Sequence, residues 1–229
     1  MKIGVFGDSF AEKWYQKDNK IWYNFLQNEY GHTVESFGES GSSILFSAEL
    51  IKKHAKNYDL AIWCITTPGR ISLPHADHLN PDHSYHISTS NDRCFNPDRE
   101  VAVKHQVCAD YLKYIFNWES ENLVSLALVK YIQQEHKNLL IISCFPPPLS
   151  AEFNLYEASQ REANFYFPGM ELSEIYKTHD DLRCGHISVE NQKILAKLIN
   201  DNLTPGVFHT SYDNFVKPPM PIEQLFKKL

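Results

Sequence analysis

The sequence predicts an α/β protein: a mostly parallel sheet with helices on both faces, a three-layer α/β/α sandwich. Three observations lead there. Short apolar runs at 3–6, 58–65 and 139–144 lack the alternation of a half-solvated strand and suit parallel strands covered on both sides. Stretches with apolar residues at helical spacing separate them. Each run also stops at a turn rich in glycine or proline, so that strand, helix, strand, helix, strand forms a doubly wound pattern.

Taken in order, residues 3–6 are too short for a helix and rich in residues that favour strands. Gly7 then allows a sharp turn, and Asp8 and Ser9 follow. This Gly-Asp-Ser is either a strand-to-helix turn with Asp8 or Ser9 as helix cap, or a serine delivered to the ligand edge of the sheet. Ile21, Trp22, Phe25 and Leu26 mark a helical stripe within 14–30, closed by Gly31. A second strand at 33–37 runs into Gly38-Glu39-Ser40-Gly41-Ser42-Ser43, where the glycines could expose N–H groups to an anion or merely form a flexible turn. Ser42 or Ser43 would cap the helix at 44–55.

After the strand at 58–65 comes Thr66-Thr67-Pro68-Gly69-Arg70, a third loop at the same edge. Residues 71–100 read as an inserted loop with His75, His78, His83 and His86. The histidine spacing with Asp77 and Asp82 could supply metal ligands, but no helix or cysteine framework fixes them, and no metal site is expected. Residues 101–136 are helical in pattern, divided or bent by the polar stretch 117–122, and a strand at 139–144 ends at three prolines. Residues 149–170 are aromatic and irregular in pattern. His186 stands just before a helix at 189–202 that Ser188 would cap. One domain over 1–202 and a C-terminal arm over 203–229 are expected, the arm either packing on the body or mediating self-association.

The composition narrows the function classes. A net charge of -6 argues against a nucleic-acid surface, which needs clustered basic residues. No apolar stretch is long enough to span a membrane, and the apolar start breaks at Gly7-Asp8, so no signal peptide is expected. Five scattered cysteines without a Cys-x-x-Cys pair fit reduced thiols and a cytoplasmic location.

With Gly7-Asp8-Ser9 near the start, Gly38-Glu39-Ser40-Gly41 next, and His186 with Ser188 and a helix behind it, the chain resembles the SGNH hydrolases, the GDSL esterase and lipase superfamily. The resemblance spans residues 2 to about 202 and implies a flavodoxin-like sheet. It further implies Ser9 as nucleophile, His186 as base, and Gly41 as an oxyanion donor. Two blocks depart from the family pattern. Its Gly-x-Asn-Asp is replaced by Thr66-Thr67-Pro68-Gly69-Arg70, leaving Thr67, Arg70 or a backbone N–H in place of the asparagine donor. Its Asp-x-x-His has Arg183 in the acid's position, so Asp181 becomes the orienting acid, or a backbone carbonyl completes a dyad.

The resemblance implies a serine esterase removing an acyl group, such as acetyl, from a carbohydrate or small-molecule ester, without a cofactor. The altered blocks leave two alternatives. One is a catalytically weak or inactive relative whose cleft binds a glycan or a partner; the other is a glycan-modifying protein with different transfer chemistry. The oligomeric state is not legible.

Overall fold

In chain order the elements are β1 (Lys2–Gly7), α1 (Trp22–Tyr30), β2 (Thr33–Ser36), α2 (Ile44–His54), β3 (Leu60–Ile65), β4 (Arg70–Pro74) and β5 (Ser84–Ser88), then α3 (Trp118–Glu135), β6 (Leu139–Ser143), α4 (Val189–Asn200) and β7 (Gly206–Val207). They come from a computed structural model that describes residues 1–12, 21–74, 84–88, 110–111, 114–145, 155, 158 and 187–215, with only the backbone of 71–74 and 84–88.

Five strands form one parallel sheet in the order β2-β1-β3-β6-β7. Val5 lies opposite Ser36 on one side and Ile62 on the other, and Trp63 lies opposite Ile141. Counted within the sheet, this is the doubly wound order 2-1-3-4-5. The chain steps outward from β1 to β2 and then returns to β1's other side, so the reversal falls between β1 and β3.

Alternation along the strands divides the core in two. Ile3, Val5, Leu60, Ile62, Cys64, Leu140 and Ile142 face one way, against α1 and α4. Phe6, Ala61, Trp63, Ile65, Leu139 and Ile141 face the other, against α2 and α3. Every residue of β3 and β6 is buried, as the unbroken apolar runs require. Helices therefore cover both faces, an arrangement compatible with a three-layer α/β/α sandwich.

Local signals account for the helix ends. Gly31 adopts the left-handed conformation, φ 70°, and closes α1 with its N–H on the Gln27 carbonyl. Ser43 caps α2 and Ser188 caps α4, accepting from the N–H of Phe46 and of Asn191. The polar stretch after residue 116 does divide the helical block: Asn117 accepts from Ser120 N–H and starts α3 anew.

Two regions differ from expectation, and a third adds a strand that the sequence did not mark. The segment read as an inserted loop contains an antiparallel pair, β4 with β5, Ser72 opposite His86; His75, His78 and His83 lie outside the described residues. Leu155 and Ala158, in the stretch read as irregular, are helical and fully buried. Beyond residue 202 the sheet gains β7 beside β6, and Phe208 and Phe215 enter the core. A two-residue strand is too short to show a periodicity, which is why no pattern marks it. Among the described residues no helix is long and apolar enough to cross a membrane.

Candidate functional site

The carboxyl ends of β1 and β3, where the strand order reverses, are where a doubly wound sheet leaves a crevice for ligand. Gly7 turns the chain there. Its φ is 141°, and a Cβ would stand 2.3 Å from the Cys64 carbonyl oxygen, so this closely packed turn requires glycine. Asp8, fully buried, caps the short 3₁₀ turn Ser9–Ala11 through a 3.1 Å bond from Phe10 N–H to Oδ1. The cap is thus Asp8 and not Ser9. From Ile3 to Glu12, Ser9 is the one residue that is not buried.

The other oxygen of Asp8 accepts from Arg70 Nη1 at 2.6 Å. The Arg70 guanidinium lies over the Phe145 ring, 4.6 Å from its centre, and Phe145 meets Phe10 edge-on at 5.7 Å. Beneath them lie two free, fully buried thiols, Cys64 and Cys144. Burial pushes the Cys144 thiol well up, and a hydrogen bond with Cys64 and the charges of Cys64 and Asp8 act the same way against an opposing Arg70. Cys144 is therefore held as a neutral thiol.

The second glycine turn is tied to this strand end. Glu39 N–H and the Ser42 hydroxyl both donate to the Gly7 carbonyl, each at 3.0 Å. Ser36 hydroxyl donates to the Ala11 carbonyl, Gly38 forms a parallel bridge with Glu12, and Ser40 N–H donates to the Glu12 carboxylate. Within this turn Gly41 has φ 78°, a conformation that favours glycine. Among the described residues, neither the Ser9 N–H nor the Gly41 N–H has a protein acceptor.

His186 and Asp181 lie outside the described residues, as does Asp180. The two residues following His186 are described. Ile187 is buried in the same core layer as Phe10 and Cys144. Its carbonyl accepts from the Gln192 side chain at 3.4 Å, whose Oε1 takes Trp22 N–H at 3.0 Å, and the Trp22 indole donates to the Phe10 carbonyl at 2.9 Å. A chain of hydrogen bonds thus runs from the residue after His186 to the residue after Ser9. Gln192 and Trp22 have no motif to mark them, and Gln192 shares the buried face of α4 with a second polar residue, Asn191.

Thr67 is partly buried in the turn after β3, and among the described residues it makes no contact that gives it a role. Its neighbour Thr66 is 1% exposed, and its hydroxyl has no partner among the described residues. The structure thus brings Ser9, the Gly41 turn and Arg70 to one sheet edge. No protein-family model matches the chain, and no curated protein matches it.

Proposed function

We propose that the protein is a serine esterase of the SGNH type that removes an acyl group, such as acetyl, from a carbohydrate or small-molecule ester. The observation that carries this reading is the double anchoring of the Gly41 turn on the Gly7 carbonyl, two residues before Ser9. It holds a left-handed glycine N–H and the Ser9 N–H, both without an acceptor among the described residues, at the edge where the one residue between Ile3 and Glu12 that is not buried is a serine. Two backbone donors beside a hydroxyl are what acyl transfer requires.

In this mechanism Ser9 Oγ attacks the ester carbonyl carbon while His186 takes its proton. The carbonyl oxygen becomes an oxyanion, held by the N–H groups of Ser9 and Gly41. Collapse breaks the bond to the alcohol, which leaves with the proton from His186. A water then attacks the acyl-serine in the same way, giving the free acid and restoring Ser9. Asp181 orients the imidazole. The hydrogen-bond chain from Ile187 to Phe10 supports His186 in this role, because it couples the start of α4 to the serine turn.

The test is a panel of p-nitrophenyl esters with a fluorophosphonate probe, applied to the protein and to Ser9→Ala and His186→Ala. Labelling at Ser9 and turnover reduced at least about 10³-fold in both variants are expected. A folded protein that neither labels nor turns over any ester, yet binds glycans, would instead be the non-catalytic binder.

A further inference from the structure

We infer that Arg70 is a specificity-determining residue that binds a carboxylate group carried by the ester substrate, which rests on the esterase reading and narrows its substrate class to anionic esters. The guanidinium is held on two sides. Nη1 donates to Asp8 Oδ2 at 2.6 Å, and the plane rests on Phe145. Asp8 is fully buried with both oxygens engaged, one by Arg70 and one by Phe10 N–H, so it orients the guanidinium and has no oxygen left uncommitted.

Among the described residues, Asp8 is the only hydrogen-bond acceptor of Arg70. The Arg70 side chain is 13% exposed, and neither its Nε nor its Nη2 is among the buried polar atoms left without a partner, so these donors keep access to the sheet edge. Such donors are open to an acceptor, and the planar fork of guanidinium matches the two oxygens of a carboxylate. A second group lies in the same turn: the Thr66 hydroxyl, buried and without a partner among the described residues. Because Asp8 directly precedes Ser9, the guanidinium that it holds lies at the same sheet edge as the serine turn. A carboxylate there belongs to the reacting ester, on either its acyl or its alcohol part.

The experiment compares two matched pairs. For an acyl carboxylate, p-nitrophenyl hydrogen succinate is set against its methyl ester; for an alcohol carboxylate, 4-acetoxybenzoate is set against its methyl ester. The expected result is a kcat/KM about ten- to a hundredfold higher for the anionic member of one pair, the scale of a charge-assisted hydrogen bond, and that pair identifies the source. The ratio should fall towards one in Arg70→Lys and in Asp8→Asn/Arg70→Gln, the double variant leaving no buried carboxylate unpaired. Equal rates within both pairs, or a ratio unchanged in the variants, overturn the inference. Thermal stabilisation by succinate against succinamide is measured alongside. If Ser9 does not label and no ester turns over, the esterase reading fails by itself; succinate stabilisation lost in the double variant then still supports carboxylate binding at Arg70, and its absence overturns it.

Discussion

A Cβ on Gly38 would stand 2.0 Å from the Ala11 carbonyl oxygen, a backbone atom with no freedom to give way. That contact is where the second glycine turn crosses the serine turn, through the Glu12–Gly38 bridge and the Ser36 bond to Ala11. Gly38→Ala is expected to destabilise the fold by about 2–3 kcal/mol, the scale of overpacking a closed site. Because the crossing sets the distance between Ser9 and Gly41, fluorophosphonate labelling should slow as well; urea denaturation and labelling rates together check this. At this scale the sequence was partly legible. Glycine and serine types stood out, but their division of labour did not: Asp8 caps, Ser43 caps, and Ser42 instead ties its turn to Gly7. Neighbouring residues of like chemistry compete for such roles, and only the geometry of the turn assigns them.

Among the elements, α2 links the glycine turn to β3, and its first turn depends on Ser43, whose hydroxyl accepts from Phe46 N–H at 3.2 Å. Ser43→Ala should cost about 1 kcal/mol, and Ser43→Gly only a few tenths, as expected of a cap. Equal losses in the two variants, measured by chemical denaturation, would mean that packing and not capping dominates. The strands and helices with long apolar patterns were readable because burial on both faces, or on one stripe, is written directly in residue order. The β4–β5 pair and β7 were not. The first lies in a polar, histidine-rich stretch, and the second is two residues held by its neighbour β6.

Across the molecule, Tyr58 joins parts that are distant in sequence. Its ring packs against Phe6 and Phe37, Lys2 lies over it, its hydroxyl donates to Glu35 at 2.6 Å, and its carbonyl accepts from Asn138. Burial, then the hydrogen bond to Glu35 and that carboxylate's charge, push the phenol pKa up, far above its ordinary value of 10.0. Above pH about 10 an unfolded tyrosine loses its proton while the folded one keeps it, so the unfolded state binds fewer protons and stability falls as pH rises. The contribution is fully present below pH about 10 and is lost as pH climbs towards the folded pKa. Urea midpoints measured from pH 8 to 11 should therefore decline less steeply in Tyr58→Phe than in the natural chain.

By itself, the sequence determined the α/β class, four of the five strands of the parallel sheet, and the placing of Ser9 and Gly41 in turns after the first two strands. These follow from local rules, in which periodicity reports burial and glycine reports a turn. Only the tertiary structure decided that β1 and β3 are neighbours, and hence that Arg70 meets Asp8 across 62 positions of chain. It also decided that the Ile187–Gln192–Trp22–Phe10 bonds connect the two ends of the chain. The physical reason is that a buried charge or amide must find a partner, and sequence order holds no record of which distant group folding will bring within reach.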